Sequence, residues 1–418
     1  MAQLIGLVGI LVLLGIAWLA SEHRRQLQWQ TIGVGLALQL ALAIFVLWVP
    51  FGQTVFETLG SLFVKLVGFT QAGSSFIFGD LANADEFGFI VAFQVLPTII
   101  FFAALMSCLY HLGFMQKIVE LMAWVMVRFM KVSGSESLAT AANCFVGQTE
   151  APLVVRPFID GMTRSELFAL MTGGMATIAG GVLAAYVLLL GGTDPAQQAY
   201  FAKHLISASI MAAPAALVVA KIILPEREPS ETMGLVKTTV QREHTNLIEA
   251  AAGGASEGLK LALNVGAMLL AFLALIALIN GPLGWLGEVT GLQALVGQPI
   301  DLALILGWIC APLALIVGVP PDEAITVGGL IGQKIVANEF VAYVALTDIQ
   351  ADLSDRSVLI ATYALCGFAN FSSIAIQLGG IGGLAPSRRS ELAQLGLRAI
   401  LGGTLVSLMN AAWAGILT

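Results

Sequence analysis

Apolar residues run in long blocks along this chain, and polar interruptions fall at a few places. A helix crossing a bilayer needs about 20 consecutive apolar residues. Blocks of that size lie at 3–20, 31–50, 90–111, 165–190, 201–224, 258–280, 357–382 and 392–416. The pattern predicts an all-α integral membrane protein with eight transmembrane helices.

Four apolar segments do not fit as simple crossings. Residues 114–131 carry a polar stripe. At 100° per residue, Lys117, Glu120, Trp124, Arg128 and Lys131 fall within about 80° of one another. This stripe predicts a helix lying in the inner interface. Residues 138–160 are interrupted by Gly147-Gln148-Thr149-Glu150-Ala151-Pro152, with Arg156 soon after. They read as a re-entrant hairpin that enters from the inside and returns there. Residues 302–319 contain Pro312 and read as non-crossing, and 323–350, broken at Asn338-Glu339, read as a second hairpin entering from the outside.

Charge placement tests the order of crossings. With the N-terminus outside, the inside segments hold 15 of the 19 Lys and Arg residues. Lys237, Arg242, Arg388 and Arg389 are among them. The outside segments hold Lys65, Lys203, Lys334 and Arg356. This asymmetry is the positive-inside pattern. The first apolar run is followed by His23, Arg24 and Arg25 rather than preceded by charge. That is the reverse of a secretory signal, so an uncleaved first span is expected. Both termini are then outside, in a plasma (inner) membrane.

The two hairpins resemble each other. Val146-Gly147-Gln148-Thr149-Glu150 and Val336-Ala337-Asn338-Glu339 each put a small residue, an amide and a carboxylate at an apolar tip. Each precedes a span with a break: Thr177-Ile178-Ala179-Gly180-Gly181, then Gly367-Phe368-Ala369-Asn370-Phe371-Ser372-Ser373. One hairpin enters from each side, so the halves are inverted. Inverted repeats with broken helices build many secondary transporters, with a site at the midplane. Irregular backbone at that depth survives only where it is buried in protein or lines a cavity.

Composition agrees. The chain has 418 residues, 58% of them hydrophobic and 11% charged. A soluble domain has about 25% charged residues. The net charge of −7 and the lack of basic, aromatic-interleaved segments give no reason to expect nucleic acid. The 4 cysteines stand singly, the 4 histidines are scattered, and no nucleophile–base pair or phosphate loop appears. An enzyme is not expected, nor a cofactor beyond a coupling ion.

Glu150 and Glu339 carry the chemistry most sharply, because a carboxylate at bilayer depth costs roughly 2.5–3.5 kcal/mol. Gln148, Thr149, Asn338, Asn370, Ser372 and Ser373 add hydrogen-bonding groups. This mostly uncharged inventory suits a neutral, polyhydroxylated ligand. A carboxylate accepting two hydroxyl protons is one way to hold a sugar diol. The residues alone leave open a transporter of another neutral solute, and a passive channel.

At these motifs the sequence resembles the concentrative nucleoside transporter family. The resemblance is carried by Gly147 to Pro152, by Ala337-Asn338-Glu339-Phe340-Val341-Ala342-Tyr343, and by Gly367-Phe368-Ala369-Asn370-Phe371-Ser372-Ser373-Ile374-Ala375-Ile376-Gln377. It implies a homotrimer of eight-span protomers with two re-entrant hairpins. Residues 1–111 would form scaffold spans, 112–224 the first transport repeat, 225–300 a loop and a sixth scaffold span, and 301–418 the second repeat. Gln148, Thr149, Glu150, Val182 and Phe368 would face the nucleobase. Glu339, Asn370 and Ser373 would hold the ribose. Sodium would sit at Asn143, Val146, Thr177 and Ile178. Some bacterial relatives use protons and depart from the motif at the first tip. Here Thr149, Ala151 and Pro152 look like the sodium-coupled pattern.

Overall fold

The computed structural model describes residues 2–234 and 244–418. Lys237 and Arg242 lie outside the described residues. Among those residues every regular element is helical, and a lone antiparallel bridge joins Ser133 to Met233.

Three helices open the chain: α1 (Ala2–Leu19), α2 (Trp29–Leu47) and α3 (Pro50–Phe78). Next come α4 (Leu96–His111) and α5 (Phe114–Met130). A helical hairpin follows, made of α6 (Gly134–Asn143) and the single turn α7 (Ala151–Val154). The first broken helix is α8 (Arg164–Ala176) and α9 (Gly180–Gly191), and α10 (Pro195–Ile223) is continuous after it. The second half repeats this order. The long α11 (Leu247–Val289) precedes α12 (Leu302–Ile316), and the hairpin α13 (Ala324–Val336) and α14 (Glu339–Ile349) follows. Then come the broken pair α15 (Asp355–Leu365) and α16 (Phe371–Leu384), and the continuous α17 (Arg389–Leu417).

Polar residues start these helices where the apolar pattern predicts. Ser133 and Thr163 form capping boxes with Glu136 and Glu166, at the foot of the first hairpin and of the first broken helix. Such a cap contributes about 1 kcal/mol. Asn338 accepts from the Val341 N–H and starts α14, and Asn370 accepts from the Ser373 N–H and starts α16. The return helix of the second hairpin and the second half of the second broken helix therefore each start with a first-turn amide satisfied by a side chain.

Burial separates two kinds of helix. In α10 and α17, 89% of the most apolar window is buried inside the protein, against 11% in α11. The hairpins, broken helices, α10 and α17 form the core. The α3, α4 and α11 helices present much of their surface outward. Glycines bring the outer pair together: Gly254 meets Ala103 and Ala104, and Gly258 meets Ile100, so α4 and α11 run antiparallel in close contact. Gly328 against Cys310 and Ala311, and Gly332 against Leu306, pair α12 and α13 in the same way. A buried amide network ties α2 to the core. Gln39 Nε2 donates to Asn410 Oδ1 at 2.7 Å, and Asn410 Nδ2 donates to the Ala208 carbonyl at 3.0 Å.

Three features differ from the sequence reading. Residues 50–78, which it left unassigned, form a 29-residue helix apolar enough by length and composition to cross a membrane. Gln53, Thr54, Glu57, Thr58, Ser61 and Lys65 interrupt its apolar run and hid it. The sixth span extends far beyond 258–280 on both sides. Lys221 and Lys334, counted as solvent-side charges, are both buried. Lys221 pairs with Glu136 at 2.8 Å and with Glu226 at 3.1 Å. Within 114–131 the chain forms an amphipathic helix: Met115, Val119, Ala123, Met126 and Met130 face inward, with Trp124 exposed.

Candidate functional site

The two hairpin tips and the two helix breaks meet in the middle of the core. At the first break, Thr177 is extended and wholly buried, and α9 restarts at Gly180. The Gly180 N–H donates to the Phe145 carbonyl at 2.9 Å, which fixes the first tip to the first break. At the second break, Gly367 has φ +150°, and a Cβ there would press on Ser407 Oγ and the Met175 carbonyl. Glycine alone fits both constraints.

A continuous hydrogen-bonded chain crosses from one tip to the other. Gln148 Nε2 in the first tip donates to Ser373 Oγ at 3.0 Å. The Ser373 N–H donates to Asn370 Oδ1 at 2.9 Å. Asn370 Nδ2 donates to Glu339 Oε2, in the second tip, at 2.9 Å. Tyr186 on α9 donates its hydroxyl to Glu339 Oε1 at 3.0 Å. Gln377 Nε2 donates to Gln148 Oε1 at 3.0 Å and to the Met171 carbonyl at 2.9 Å. A buried carboxylate is costly unless it is hydrogen-bonded, and Glu339 has a donor on each oxygen.

The structure therefore brings together Gln148, Glu339, Asn370 and Ser373. The other expected residues surround them. Thr149 packs against Gly380 of α16. Glu150 is exposed, and its carboxylate lies over Gly147, where any Cβ would collide with it. Val182 is buried in the first turn of α9, and Phe368 is half-buried in the second break.

Around the first break lie Asn143, Val146, Thr177 and Ile178. Asn143 closes α6 beside Gly173 in the last turn of α8, and its Nδ2 donates to the Ala139 carbonyl at 3.0 Å. Its Oδ1 is buried with no hydrogen-bond partner among the described residues. The Thr177 hydroxyl donates to the Gly173 carbonyl at 3.0 Å, leaving its lone pairs free. An unpartnered amide oxygen, a hydroxyl oxygen and the carbonyls at a helix end are hard donors that suit sodium.

Tyr186 and Gln377 belong to this network, and sequence reasoning did not place them in the site. Tyr186 stands alone in an apolar helix, where it reads as core. Gln377 is an isolated amide inside an otherwise apolar segment. That isolation is the signal that could have found it.

Comparison with known proteins gives the site its context. A model of the C-terminal part of sodium-dependent nucleoside transporters matches residues 204–415, and one of the N-terminal part matches 8–81. A third model, described as nucleoside recognition, matches 92–193. The chain is 46% identical to an uncharacterized transporter of Bacillus subtilis, covering 98% of each chain. It is 43% identical to sodium/nucleoside cotransporter 1 of Mus musculus, covering 99% of this chain and 64% of that longer one. The structure superposes on the transporter CNTnw in an inward-facing, substrate-bound state with TM-score 0.92 and 41% identity, covering 100% of both chains. It also superposes on an outward-facing CNTnw variant with TM-score 0.91 and 41% identity, covering 100% of this chain and 98% of that one. Family and fold are those of multi-pass membrane transporters and not of enzymes: the chain belongs to the sodium-dependent, concentrative nucleoside transporter family.

Proposed function

We propose that this chain is a symporter that imports nucleosides, driven by a sodium gradient, through alternating access of a midplane site. The observation that carries the reading is the hydrogen-bonded chain from Gln148 through Ser373 and Asn370 to Glu339. It links both tips through uncharged donors and acceptors around one carboxylate. That chemistry matches a base and a ribose diol better than an anion. In this reading Gln148, Thr149, Glu150, Val182 and Phe368 face the nucleobase, and Glu339, Asn370 and Ser373 hold the ribose. Sodium binds at Asn143, Val146, Thr177 and Ile178, supported by the unpartnered Asn143 Oδ1.

The architecture we propose has eight crossings and two re-entrant hairpins, with both termini outside a plasma (inner) membrane. Residues 1–111 and the long helix of the 225–300 segment form the scaffold. Residues 112–224 and 301–418 form the two inverted repeats that move. The outward surfaces of α3, α4 and α11 suit lipid and neighbouring protomers of a homotrimer.

Uptake of radiolabelled uridine into proteoliposomes tests the function. A sodium gradient should drive accumulation, and choline in its place should abolish it. Accumulation that follows a proton gradient instead would replace sodium with a proton. Failure of uridine to be taken up at all would point to another neutral solute.

A further inference from the structure

Lys334 lies in the last turn of α13 and is wholly buried. Its Nζ donates to the Ala364 carbonyl at 2.9 Å and to Ser407 Oγ at 3.0 Å. Ser407 stands in turn 3.0 Å from the Cys366 carbonyl and 3.1 Å from the Gly403 carbonyl. Ala364 is in the last turn of α15, the first half of the second broken helix. The ammonium makes no salt bridge among the described residues. It is held by carbonyl and hydroxyl oxygens at a helix C-terminus, where the helix dipole leaves about −0.5 of a charge.

The first repeat has the same junction with different contents. There Asn143 ends α6 beside the last turn of α8. No lysine or arginine occurs in α6 or in the last turn of α8. An unpartnered amide oxygen stands at that place instead. In both repeats the first helix of the hairpin meets the C-terminal end of a broken helix. One junction presents free oxygens to an ion, and the other holds a lysine.

We propose that Lys334 is a tethered cation, occupying in the second repeat the place that sodium takes in the first. Half-helix C-termini and unwound carbonyls are the ligands that transporters offer to cations. In the second repeat the chain supplies that cation itself. The second tip, with Glu339 five residues beyond Lys334, then stays organised whether or not sodium is bound. Only the first tip is ion-gated, so one sodium ion accompanies each nucleoside. Lys334 acts as a positioning residue, and the inference rests on the reading of the first junction as the sodium site.

Lys334→Gln tests this directly. The variant removes the charge and leaves an amide oxygen facing the Ala364 and Cys366 carbonyls and the Ser407 hydroxyl. That is an oxygen set like the first junction's. The measurement is uridine affinity of the purified protein by calorimetry, over a series of sodium concentrations with choline holding ionic strength constant. In the native protein the logarithm of the association constant should rise with that of sodium at a slope approaching one. In Lys334→Gln the slope should approach two, and Lys334→Arg, which keeps the charge, should stay near one. A slope of one in Lys334→Gln, with native affinity, overturns the proposal and leaves the first sodium site intact. A native slope of zero overturns the sodium reading itself and the proposal with it. If Lys334→Gln cannot be purified folded, the charge moved per uridine by the native protein decides. One charge supports the tethered cation, and two overturns it.

Discussion

The backbone N–H of Phe368 donates to the carbonyl of Thr177 at 3.3 Å. These residues lie in the two helix breaks, so the proposed sodium side and the proposed nucleoside side share a backbone contact. Thr177 borders the junction that holds the unpartnered Asn143 Oδ1. Phe368 borders the break that carries Asn370 and Ser373. An ion that orders the first break therefore also orders the carbonyl that fixes the second. Under the proposed site assignment, one backbone contact links sodium to the nucleoside site, without a long chain of intermediaries.

Gly367 makes that contact possible. Its φ of +150° and the closeness of the Met175 carbonyl exclude a side chain. Gly367→Ala should cost about 1–3 kcal/mol for the backbone conformation alone. The melting temperature should fall by several degrees, and uptake per folded protein should fall about tenfold if the misplaced contact costs about 1.4 kcal/mol in transport. Native melting and native uptake would show that the two breaks need not touch.

Asn143 tests the proposed sodium site. Replacing Asn143 by Ala removes the unpartnered oxygen. The sodium concentration for half-maximal uptake should rise about tenfold, which corresponds to about 1.4 kcal/mol. Uridine affinity at saturating sodium should be close to native. An unchanged sodium requirement would move the ion elsewhere.

Topology can be checked by chemistry from one side. Thr193 lies in the exposed turn between α9 and α10, and Ser387 lies in the exposed turn before α17, where it donates to Asp160. Impermeant thiol reagents added to right-side-out vesicles should label Thr193→Cys and spare Ser387→Cys. The α3 helix is the critical element, because one more crossing there would reverse every later side. Strong labelling at 387 would establish that reversal.

The pattern of apolar blocks foretold most of the fold, because the length of a crossing and the breaks inside it are written locally. The tips at 147–150 and 337–339, and the breaks at 177–181 and 367–373, could be read from residue type alone. What escaped was set by partners distant in sequence. Tyr186 looks like packing until Glu339, 153 positions away, is found beside it. Lys334 looks like a topology marker until the end of α15 is seen to hold it. The α3 helix escaped for another reason: its polar residues are spread along the segment, so no apolar run announces it.

Tyr186 gives a test that no motif suggested. Tyr186→Phe removes one of the two donors to Glu339 and keeps the ring packed between Phe340 and Tyr343. A hydrogen bond to a charged group contributes about 1.5–3 kcal/mol. Glu339 should then be less firmly held, and uridine affinity should fall about tenfold with little change in melting temperature. Native affinity would show that Asn370 alone positions the carboxylate.

The last prediction separates the two tips. Glu339 already uses both oxygens, accepting from Tyr186 and from Asn370. Each carboxylate oxygen retains a lone pair for a ribose hydroxyl. Glu339→Gln replaces an acceptor-only group with one that also donates, and its amide hydrogens would face the donors on Tyr186 or Asn370. Loss of one charged hydrogen bond, about 1.5–3 kcal/mol, means at least a tenfold fall in affinity. The fall should be the same for uridine and adenosine, because the lost contact is to the sugar. A 2′,3′-dideoxy nucleoside should bind poorly to the native protein and lose little more from the substitution. Gln148 sits at the other end of the hydrogen-bonded chain, donating to Ser373 and accepting from Gln377. Gln148→Ala should change the ranking of uridine against adenosine and keep the requirement for ribose hydroxyls. Its contact with Ser373 predicts one departure from full independence: the double variant Gln148→Ala, Ser373→Ala should lose less than the two single losses combined. Competition of labelled uridine uptake by uridine, adenosine and the dideoxy analogue decides the matter in each variant. If Glu339→Gln reorders the bases, or Gln148→Ala erases the hydroxyl requirement, the two tips have the opposite duties.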